Sequence, residues 1–473
     1  MLNGSAVHAL ASLVWVDLLS RMSIITPVRR IVLSVLVAGL FAVRLAAGSW
    51  EPLFNGKDLA GWKEINGTAP YTVRDGTIVG TTVAGSPNSF LVTEKTYGDF
   101  IFECEVKQDG GPSNSGIMFR ALSTPDYKEG RVHGYQFEID PSARAWTGGI
   151  YDEARRGWFY PGDLNPRGQT AYHYGEWNHL RIEAIGPSLR TWVNGVAIAH
   201  VVDALTPSGF LGLQVHSIGN KPEEAGRTIS WRNPRIQTTD LQPSKPDTLF
   251  IRNLVPNTLT DAERAQGWRM LWDGRTGQGW HGVKSKDFPI SGWSMENGEL
   301  TVLGTKGGSM VSDEEFSAFE LQLDFQVSEG GNSGIKYFVA PDETGEPVGL
   351  EFQLLDDEKH PDATQGVDGN RTTGSLYDLI PRKKLPGGAA IAPKAGEWHH
   401  ARIVVTPAGH VEHWLNGIRV VEYERGSADF LARVARSKYA KMPGFGLAPK
   451  GPILLQDHGD VVRFRSIKVR MLR

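Results

Sequence analysis

Residues Phe319–Val327 read FELQLDFQV, in which every odd-numbered residue is apolar and every even-numbered residue is polar or charged. Because successive side chains of a β-strand point to opposite faces, this period of two predicts a strand with one face in a hydrophobic core. Phe100, Phe102, Cys104 and Val106 recur with the same period, and Asn-Gly pairs at 194–195 and 416–417 indicate tight hairpin turns. The sequence therefore predicts an all-β fold built from antiparallel sheets.

The chain also repeats itself. The segment LFNGKDLAGW at 53–62 returns as LWDGRTGQGW at 271–280, and NSGI at 114–117 returns at 332–335, with the same shift of 218 positions in both cases. Further pairs keep the same order: GEW at 175–177 and 396–398, WVNG and WLNG at 192–195 and 414–417, and TGGIYD and TGSLYD at 147–152 and 373–378. A repeat of this length indicates two complete domains rather than a solenoid.

The predicted domain boundaries follow from these repeats. We expect a first domain at 50–238, a linker at 239–267 and a second domain at 268–473. The linker is rich in Pro, Thr and Ser near its start, and Thr260-Asp-Ala-Glu263 has the spacing of a capping box, which predicts a short helix.

The first 48 residues have the pattern of a signal peptide. Arg29 and Arg30 precede the apolar run Ile31–Phe41, and the small residues Ala46–Gly48 follow. Met22 is an alternative start of the natural chain. This pattern predicts a periplasmic or secreted protein; an uncleaved segment that anchors the protein to a membrane is the alternative.

Composition excludes some classes of function. The formal net charge of −3 gives no basic surface of the kind that binds nucleic acid. A single cysteine, Cys104, rules out an internal disulfide framework, and its place in an alternating strand favours a buried structural thiol.

One strand of each copy carries acids and amides on the face opposite its apolar face. In His133–Asp140 the apolar residues alternate with Gln136, Glu138 and Asp140; in the second copy Glu351 and Gln353 alternate with leucine and phenylalanine, and Asp356 follows. Each sugar hydroxyl both donates and accepts hydrogen bonds, so carboxylates and amides together suit a carbohydrate site. A plain solvent-exposed face of an antiparallel sandwich is the alternative.

A loop in the first copy concentrates aromatic and charged residues. It contains Trp146, Tyr151, Asp152, Arg156 and Trp158, whereas the second copy keeps Tyr377 in the matching place. Aromatic rings can stack on the C–H face of a sugar, while Arg and Asp fix its hydroxyls. The alternative is an aromatic plug that closes one end of the sandwich.

A histidine recurs near the end of each copy. His216 follows Gln214 in LQVHS, and His458 follows Gln456 in LQDHG. Recurrence beside a glutamine makes each histidine a candidate general base, and a structural histidine is the alternative. The acidic loop at 356–368 could bind a divalent metal such as calcium, but it lacks the spacing of an EF-hand, and a solvated loop is the alternative.

Taken together, these motifs resemble the family of 3-keto-disaccharide hydrolase domains, also labelled 3-keto-α-glucoside 1,2-lyase/3-keto-2-hydroxy-glucal hydratase. LFNGKDLAGW, NSGI, EFQLLDD, TGSLYD, GEWHHARI, WLNG and GPILLQDHGD carry the resemblance, which covers nearly everything after residue 48. It implies two tandem concanavalin A-like jelly-roll sandwiches and cleavage of 3-keto glycosides supplied by a partner sugar 3-dehydrogenase.

The chemistry of such a reaction, which needs a base at C2, an acid at the departing oxygen and a group that holds the oxygen at C3, gives candidate roles to the residues named above. The base that removes the C2 proton would be His216 or Glu138 in the first copy, with Asp140, Tyr151 and Arg156 in support. In the second copy it would be His458 or Glu351, supported by Gln353, Asp356, Tyr377 and Gln456. The alternative function is a non-catalytic, lectin-like tandem module, since a fold alone does not determine activity.

Overall fold

The computed structural model describes residues 49–384 and 393–473. The predicted signal peptide at 1–48 lies outside these residues. Within the described part of the chain, no helix combines the length and the apolar character needed to cross a lipid bilayer.

The first sandwich consists of two sheets. Its strands in chain order are β1 Glu51–Pro52, β2 Trp62–Asn66, β3 Tyr71–Arg74, β4 Thr77–Thr81, β5 Ser89–Thr93, β6 Phe100–Asp109, β7 Ser115–Leu122, β8 His133–Ile139, β9 Ile150–Glu153, β10 Gly157–Tyr160, β11 Asn178–Ile185, β12 Ser188–Val193, β13 Val196–Val202, β14 Phe210–Val215, β15 Thr228–Gln237 and β16 Arg252–Asn253. The front sheet has the order β10-β9-β8-β7-β14-β5-β2. The back sheet has the order β16-β13-β12-β11-β6-β15-β4-β3, with β1 paired to β15.

The second sandwich repeats this plan with fewer front strands. Its strands are β17 Arg269–Met270, β18 Trp280–Gly282, β19 Trp293–Glu296, β20 Glu299–Leu303, β21 Met310–Phe316, β22 Phe319–Val327, β23 Asn332–Pro341, β24 Pro347–Leu355, β25 His399–Val405, β26 His410–Leu415, β27 Ile418–Glu424, β28 Gly451–Leu455 and β29 Val461–Met471. Its front sheet has the order β18-β21-β28-β23-β24. Its back sheet has the order β19-β20-β29-β22-β25-β26-β27, with β17 paired to β29.

The predicted alternation is confirmed in both cores. Tyr135, Phe137 and Ile139 of β8 are fully buried in the first core, and the apolar residues of β22 are at most 3% exposed in the second. Burial of one face of each sheet against its partner sheet is the main stabilising contribution in such a sandwich. The prediction of an all-β protein with two tandem jelly-roll sandwiches is therefore confirmed.

Among the described residues, helices are few and short. Helix α1, Asp261–Ala265, follows the linker, and helix α2, Ala428–Val434, lies between β27 and β28. Short 3₁₀ turns occupy 128–130, 162–164, 166–170, 222–224 and 361–364. The sequence does not predict α2, because seven residues give too short a window for a helical period. Its Ser427 cap and the stacking of Phe430 on Tyr423, at 5.6 Å between ring centroids, hold it in place.

Glu263 joins the linker to the second sandwich. Its carboxylate accepts hydrogen bonds from the Thr260 backbone N–H at 2.8 Å and from Asn253 Nδ2 at 3.0 Å, and it forms a 2.5 Å ion pair with Lys468 Nζ on β29. Thr260 Oγ1 in turn accepts from the Glu263 N–H at 3.1 Å, which completes the capping box. Both charges are almost fully buried, so each depends on the other for compensation.

We therefore expect Glu263→Ala to lower the free energy of unfolding by about 3–5 kcal/mol, because it leaves the Lys468 ammonium buried without its partner. Arg264→Ala on the same helix is the control. Its side chain is 60% exposed, and we expect an effect within about 0.5 kcal/mol. Denaturant unfolding of the two variants measures the difference. Equal destabilisation by both would contradict a structural role for the buried pair.

Candidate functional site

A cleft of about 820 Å³ opens on the outer face of the first front sheet. Most of its lining residues are polar, and they come from all seven strands of this sheet or the loops beside them. Residues that contribute to it include Asn88, Asn114, Arg131, Gln136, Glu138, Arg144, Tyr151, Glu153, Trp158 and His216. Five of the predicted site residues, Gln136, Glu138, Tyr151, Trp158 and His216, are thus placed around one cavity.

Strand β8 forms the floor of the cleft. Its core-facing residues fix its register against β7, so that Gly116 lies opposite Glu138. A Cβ atom at Gly116 would lie 2.6 Å from Gln136 Cδ, so only glycine leaves room for the Gln136 side chain to extend across β7. Both Gln136 and Glu138 are 2% exposed. The polar face is therefore buried beneath the cleft and is not the solvent-exposed face of the alternative interpretation.

Glu138 is the most perturbed acid of the cleft. Burial raises its pKa to about 7, the negative charge of Asp140 adds to the shift, and a hydrogen bond from Asn114 Nδ2 opposes it. Its other carboxylate oxygen accepts from Gln136 Nε2 at 2.9 Å. A carboxyl group whose pKa lies close to neutral pH can both accept and release a proton, which is the requirement for general acid–base catalysis.

Arg144 lies beside this carboxyl group. Its Nε donates to Asp140 Oδ2 at 2.6 Å, and its Nη2 lies 3.6 Å from Glu138 Oε1. Asp140, predicted as a catalytic residue, therefore acts on the cleft through Arg144. The Asp140 backbone is fixed by Thr147, whose Oγ1 accepts from its N–H at 2.9 Å.

An aromatic wall borders the same side of the cleft. Trp158 and Tyr151 line it, with ring centroids 5.0 Å apart and planes inclined at 55°. Trp146, predicted as a substrate-binding residue, is only 1% exposed and lies behind Trp158 at 4.7 Å. It supports the wall and does not face the cleft.

His216 contributes from the end of β14. Its Nδ1 lies 2.7 Å from the carbonyl oxygen of Ser217, which requires a proton on Nδ1 and leaves Nε2 as the second exchangeable position. Gln214, two residues earlier, is fully buried and donates to Gln136 Oε1 at 3.0 Å. It supports the cleft floor from below.

Two predicted substrate-binding residues lie elsewhere. Asp152 on β9 lies opposite the core-facing Tyr135 of β8. Because side chains alternate along β9, Tyr151 takes the outer face and Asp152 the inner one. It is fully buried and forms ion pairs with Arg155 at 2.6 Å and Arg156 at 2.7 Å. Arg156 also pairs with Asp203 at 2.5 Å. We therefore exclude Asp152 and Arg156 from the candidate site, since they hold the end of the sandwich together.

The second sandwich exchanges the acid and the amide. Gln353, not Glu351, lies opposite Gly334 and so occupies the position of Glu138. Glu351 takes the place of Gln136 and lies 3.6 Å from the ammonium of Lys336. With its amide oriented to donate, Gln353 reaches Glu351 Oε1 at 3.2 Å. The two copies thus offer different chemistry at equivalent positions.

The other predicted residues of the second copy have varied surroundings. Tyr377 donates to Asp362 Oδ2 at 2.7 Å. Asp356 accepts backbone hydrogen bonds from Gly330, Glu358 and Lys359, at 2.7, 3.0 and 3.2 Å, and so organises its own loop. Gln456 is half-buried, and its backbone N–H donates to the Gly334 carbonyl at 3.0 Å. His458 is exposed at the end of the β28–β29 connection.

In both candidate metal regions, some of the acidic residues already pair with arginine. In the acidic loop Asp357 pairs with Arg382 at 2.6 Å, and Asp362 pairs with Arg371 at 2.8 Å. Among residues 49–384 and 393–473, His410, Glu412 and Glu422 lie close enough together to hold an ion, on the second back sheet. Arg419 Nη1 already lies 2.9 Å and 3.1 Å from those two glutamates.

Sequence reasoning missed several cleft residues. Asn114 stood inside the repeated NSGI motif, but that motif served only as a marker of the duplication. Arg144 lies four residues after Asp140, a spacing that could have indicated an ion pair. Asn88, Arg131 and Glu153 carry no sequence signal, because only the fold brings their strands and loops to one cavity.

The raised pKa of Glu138 has a consequence for stability. Its value rises from 4.5 to about 7 on folding, so stability is highest below pH 4.5 and is lost as the pH rises through 7. Glu138→Gln removes this penalty, and we expect it to stabilise the protein at pH 8 relative to pH 5, by at most about 3 kcal/mol. Thermal unfolding at the two pH values measures this difference. Glu94→Gln, at an exposed position, controls for the loss of one charge. If the stability change between pH 5 and pH 8 in Glu138→Gln is no larger than in the control, the raised pKa of the buried Glu138 carboxyl group is contradicted.

Comparison with known proteins gives the family. Residues 49–237 and 267–470 each match the profile of the 3-keto-alpha-glucoside-1,2-lyase-like domain. The chain is 36% identical over 237 residues to a 3-keto-disaccharide hydrolase of Bacteroides thetaiotaomicron, with 44% of this chain and 79% of that protein aligned.

Two solved structures that resemble this chain each match less than half of it. A protein of Parabacteroides distasonis, provisionally named a glycosyl hydrolase, is 28% identical with a TM-score of 0.42, over 46% of this chain and all of that one. A carbohydrate-binding module of Bacillus subtilis is 21% identical with a TM-score of 0.25, over 37% of this chain and 95% of that one. On the evidence of the two profile matches, the chain belongs to the 3-keto-alpha-glucoside-1,2-lyase-like domain family and carries two tandem copies of its domain.

Proposed function

We propose that the cleft of the first sandwich cleaves 3-keto glycosides by elimination followed by hydration, with Glu138 as the base. The observation that supports this proposal is the buried Glu138 carboxyl group, which lines a polar cleft and has a pKa raised to about 7. The family membership and the name of the Bacteroides relative agree in substrate class.

The chemistry follows from the carbonyl group at C3. This carbonyl acidifies the hydrogen on C2, so a carboxylate can remove that proton and form an enolate. The electron pair then forms the C1–C2 double bond, the C1–O bond breaks, and the departing oxygen takes a proton. Addition of water across the double bond places OH on C1 and hydrogen on C2, which releases the 3-keto sugar.

The cleft supplies groups for each step. Ionised Glu138 accepts the C2 proton, and the guanidinium of Arg144, 3.6 Å away, can stabilise negative charge on the enolate oxygen. His216 lines the same cleft and, when doubly protonated, can donate from Nε2 to the departing oxygen. Trp158 and Tyr151 provide flat apolar surfaces for the sugar rings.

The substrate implies a preceding oxidation. Ordinary disaccharides carry a hydroxyl at C3, so a sugar 3-dehydrogenase must first convert it to the carbonyl on which the elimination depends. The partner reaction in this proposal is therefore a dehydrogenation. Direct glycoside hydrolysis by two carboxylates has less support, because Glu138 and Asp140 both contact Arg144.

Substitutions on the corresponding strands of the two copies show which copy carries out the reaction. We expect Glu138→Gln to lower kcat/KM for a 3-keto disaccharide by about 10³-fold, because an amide cannot accept the proton. Glu351→Gln, on the equivalent strand of the second sandwich, should retain activity within about threefold. Chromatography of released sugar measures both. The opposite result would move the reaction to the second sandwich, and binding of unmodified glycans without any turnover would identify a lectin-like module.

The role of Glu138 as the base also predicts how kcat/KM depends on pH. Because Glu138 must be ionised to act as a base, the acidic limb of the kcat/KM profile should rise with pH and have its midpoint near pH 7. The measurement is a pH–rate profile of the full chain at low substrate concentration. A half-maximum near pH 4.5, typical of an unperturbed glutamate, would contradict Glu138 as the base.

A further inference from the structure

Trp146 of the first sandwich belongs to the apolar core of the second. It is 1% exposed and joins the continuous cluster of buried residues that includes Leu415 and Ile418, not the cluster of its own sandwich. Trp158, which lines the cleft, packs against this same cluster. The aromatic wall of the first cleft is therefore continuous with the core of the second domain.

On the cleft side, Trp146 supports two residues that face the substrate. The Arg144 guanidinium lies 4.4 Å from the centroid of its ring, and the Trp158 ring meets it edge-on at 4.7 Å. The indole itself is fixed by a hydrogen bond of 3.2 Å from Nε1 to Asp163 Oδ1. A shift of this indole would therefore move both the cation and the aromatic wall.

The turn at 161–164 lies between the second sandwich and this indole and contacts both. A Cβ atom at Gly162 would lie only 2.4 Å from Trp146 Cδ1, so the backbone of the turn presses directly on the ring. On its other side, a Cβ atom at Gly417 would lie 2.9 Å from Pro161 and 3.1 Å from Leu164. Gly417 occupies the hairpin turn between β26 and β27 of the second sandwich.

We propose that the second sandwich completes the cleft of the first. Its 416–417 hairpin turn packs against the 161–164 turn, which holds Trp146 beneath Arg144 and Trp158. Trp146 is then a positioning residue, and the second copy is a structural component of the first copy's site. This inference rests on the proposed function only for its effect on turnover; its effect on the ionisation of Glu138 is independent of any substrate.

The position of Arg144 provides a readout that loss of stability alone would not change. Its positive charge near Glu138 favours the ionised carboxylate. When Trp146 no longer supports Arg144, this stabilisation weakens and the pKa of Glu138 rises further. A variant that merely destabilises the fold would lower the melting temperature without moving this ionisation.

The first test compares two Arg–Trp stacks of the same domain. Trp146→Leu should raise the midpoint of Glu138 ionisation by about half a pH unit or more and lower kcat/KM about tenfold. Trp192→Leu removes the ring beneath Arg190, which lies 4.8 Å away on β12 of the back sheet, and should change neither quantity. Carboxyl-carbon NMR titration of the full chain, without substrate, measures the midpoint.

The second test changes only the second sandwich. Gly417→Ala introduces a Cβ against Pro161 and Leu164, whereas Gly195→Ala in the matching hairpin of the first copy meets nothing within 4 Å. The two glycines have nearly equal φ angles, +83° and +80°, so the backbone strain is matched. Gly417→Ala should shift the Glu138 midpoint and lower kcat/KM severalfold, while Gly195→Ala leaves both unchanged.

The outcomes separate the two proposals. Absence of turnover by the wild-type chain would refute the proposed function and leave the titration test intact. An unshifted Glu138 midpoint in both Trp146→Leu and Gly417→Ala would overturn the positioning role, whatever the activity. If Trp146→Leu does not fold, Gly417→Ala decides alone, because its substitution lies outside the first sandwich.

Discussion

Burial of a carboxyl group on the non-core face of β8 is the constraint on which the candidate site depends. Tyr135, Phe137 and Ile139 fill the core, so the alternation of the strand places Gln136 and Glu138 on the opposite face. Walls from neighbouring strands cover that face and exclude most of the water. Desolvation then raises the pKa of Glu138. Hydrogen bonds from amide groups and the charge of a guanidinium group oppose this shift, so that the pKa stays near neutral pH.

The two sandwiches share the same strand arrangement but differ in the side chains on its polar face. The NSGI glycines, Gly116 and Gly334, permit a long side chain to cross the strand in both copies. The acid lies opposite this glycine in the first copy and two residue pairs further along in the second, where it pairs with Lys336. We infer that the second copy supports the first through the contacts around Trp146.

The sequence predicted the fold well because alternation and duplication are local signals. The period of two along β22 and β8 is confirmed by the structure, because each strand has one face in a core. Repeated motifs in the same order define the tandem copies without any knowledge of contacts. Helix α2 was missed for the opposite reason, because its position depends on the packing of Phe430 against Tyr423 and not on its own pattern.

The candidate site was predicted only in part. Residues on β8 could be assigned to a face, and Glu138 and Gln136 do lie in the cleft. Alternation along β9 also predicts that Tyr151 and Asp152 point in opposite directions, so only one of the two can face the cleft. Trp146 was chosen for its residue type, although its burial is fixed by a domain whose contacts no local pattern reveals.

Cleavage of a 3-keto disaccharide in D₂O tests the central claim most directly. Elimination transfers the original C2 hydrogen to the base, which exchanges it with D₂O before water adds to the double bond, so the released 3-keto sugar should carry deuterium at C2. NMR of the product reads this position without any assumption about the residues involved. Full deuteration at C2 by the wild-type chain, lost together with turnover in Glu138→Gln, is the predicted result. Product that retains the original C2 hydrogen would contradict proton abstraction at C2 and indicate direct hydrolysis.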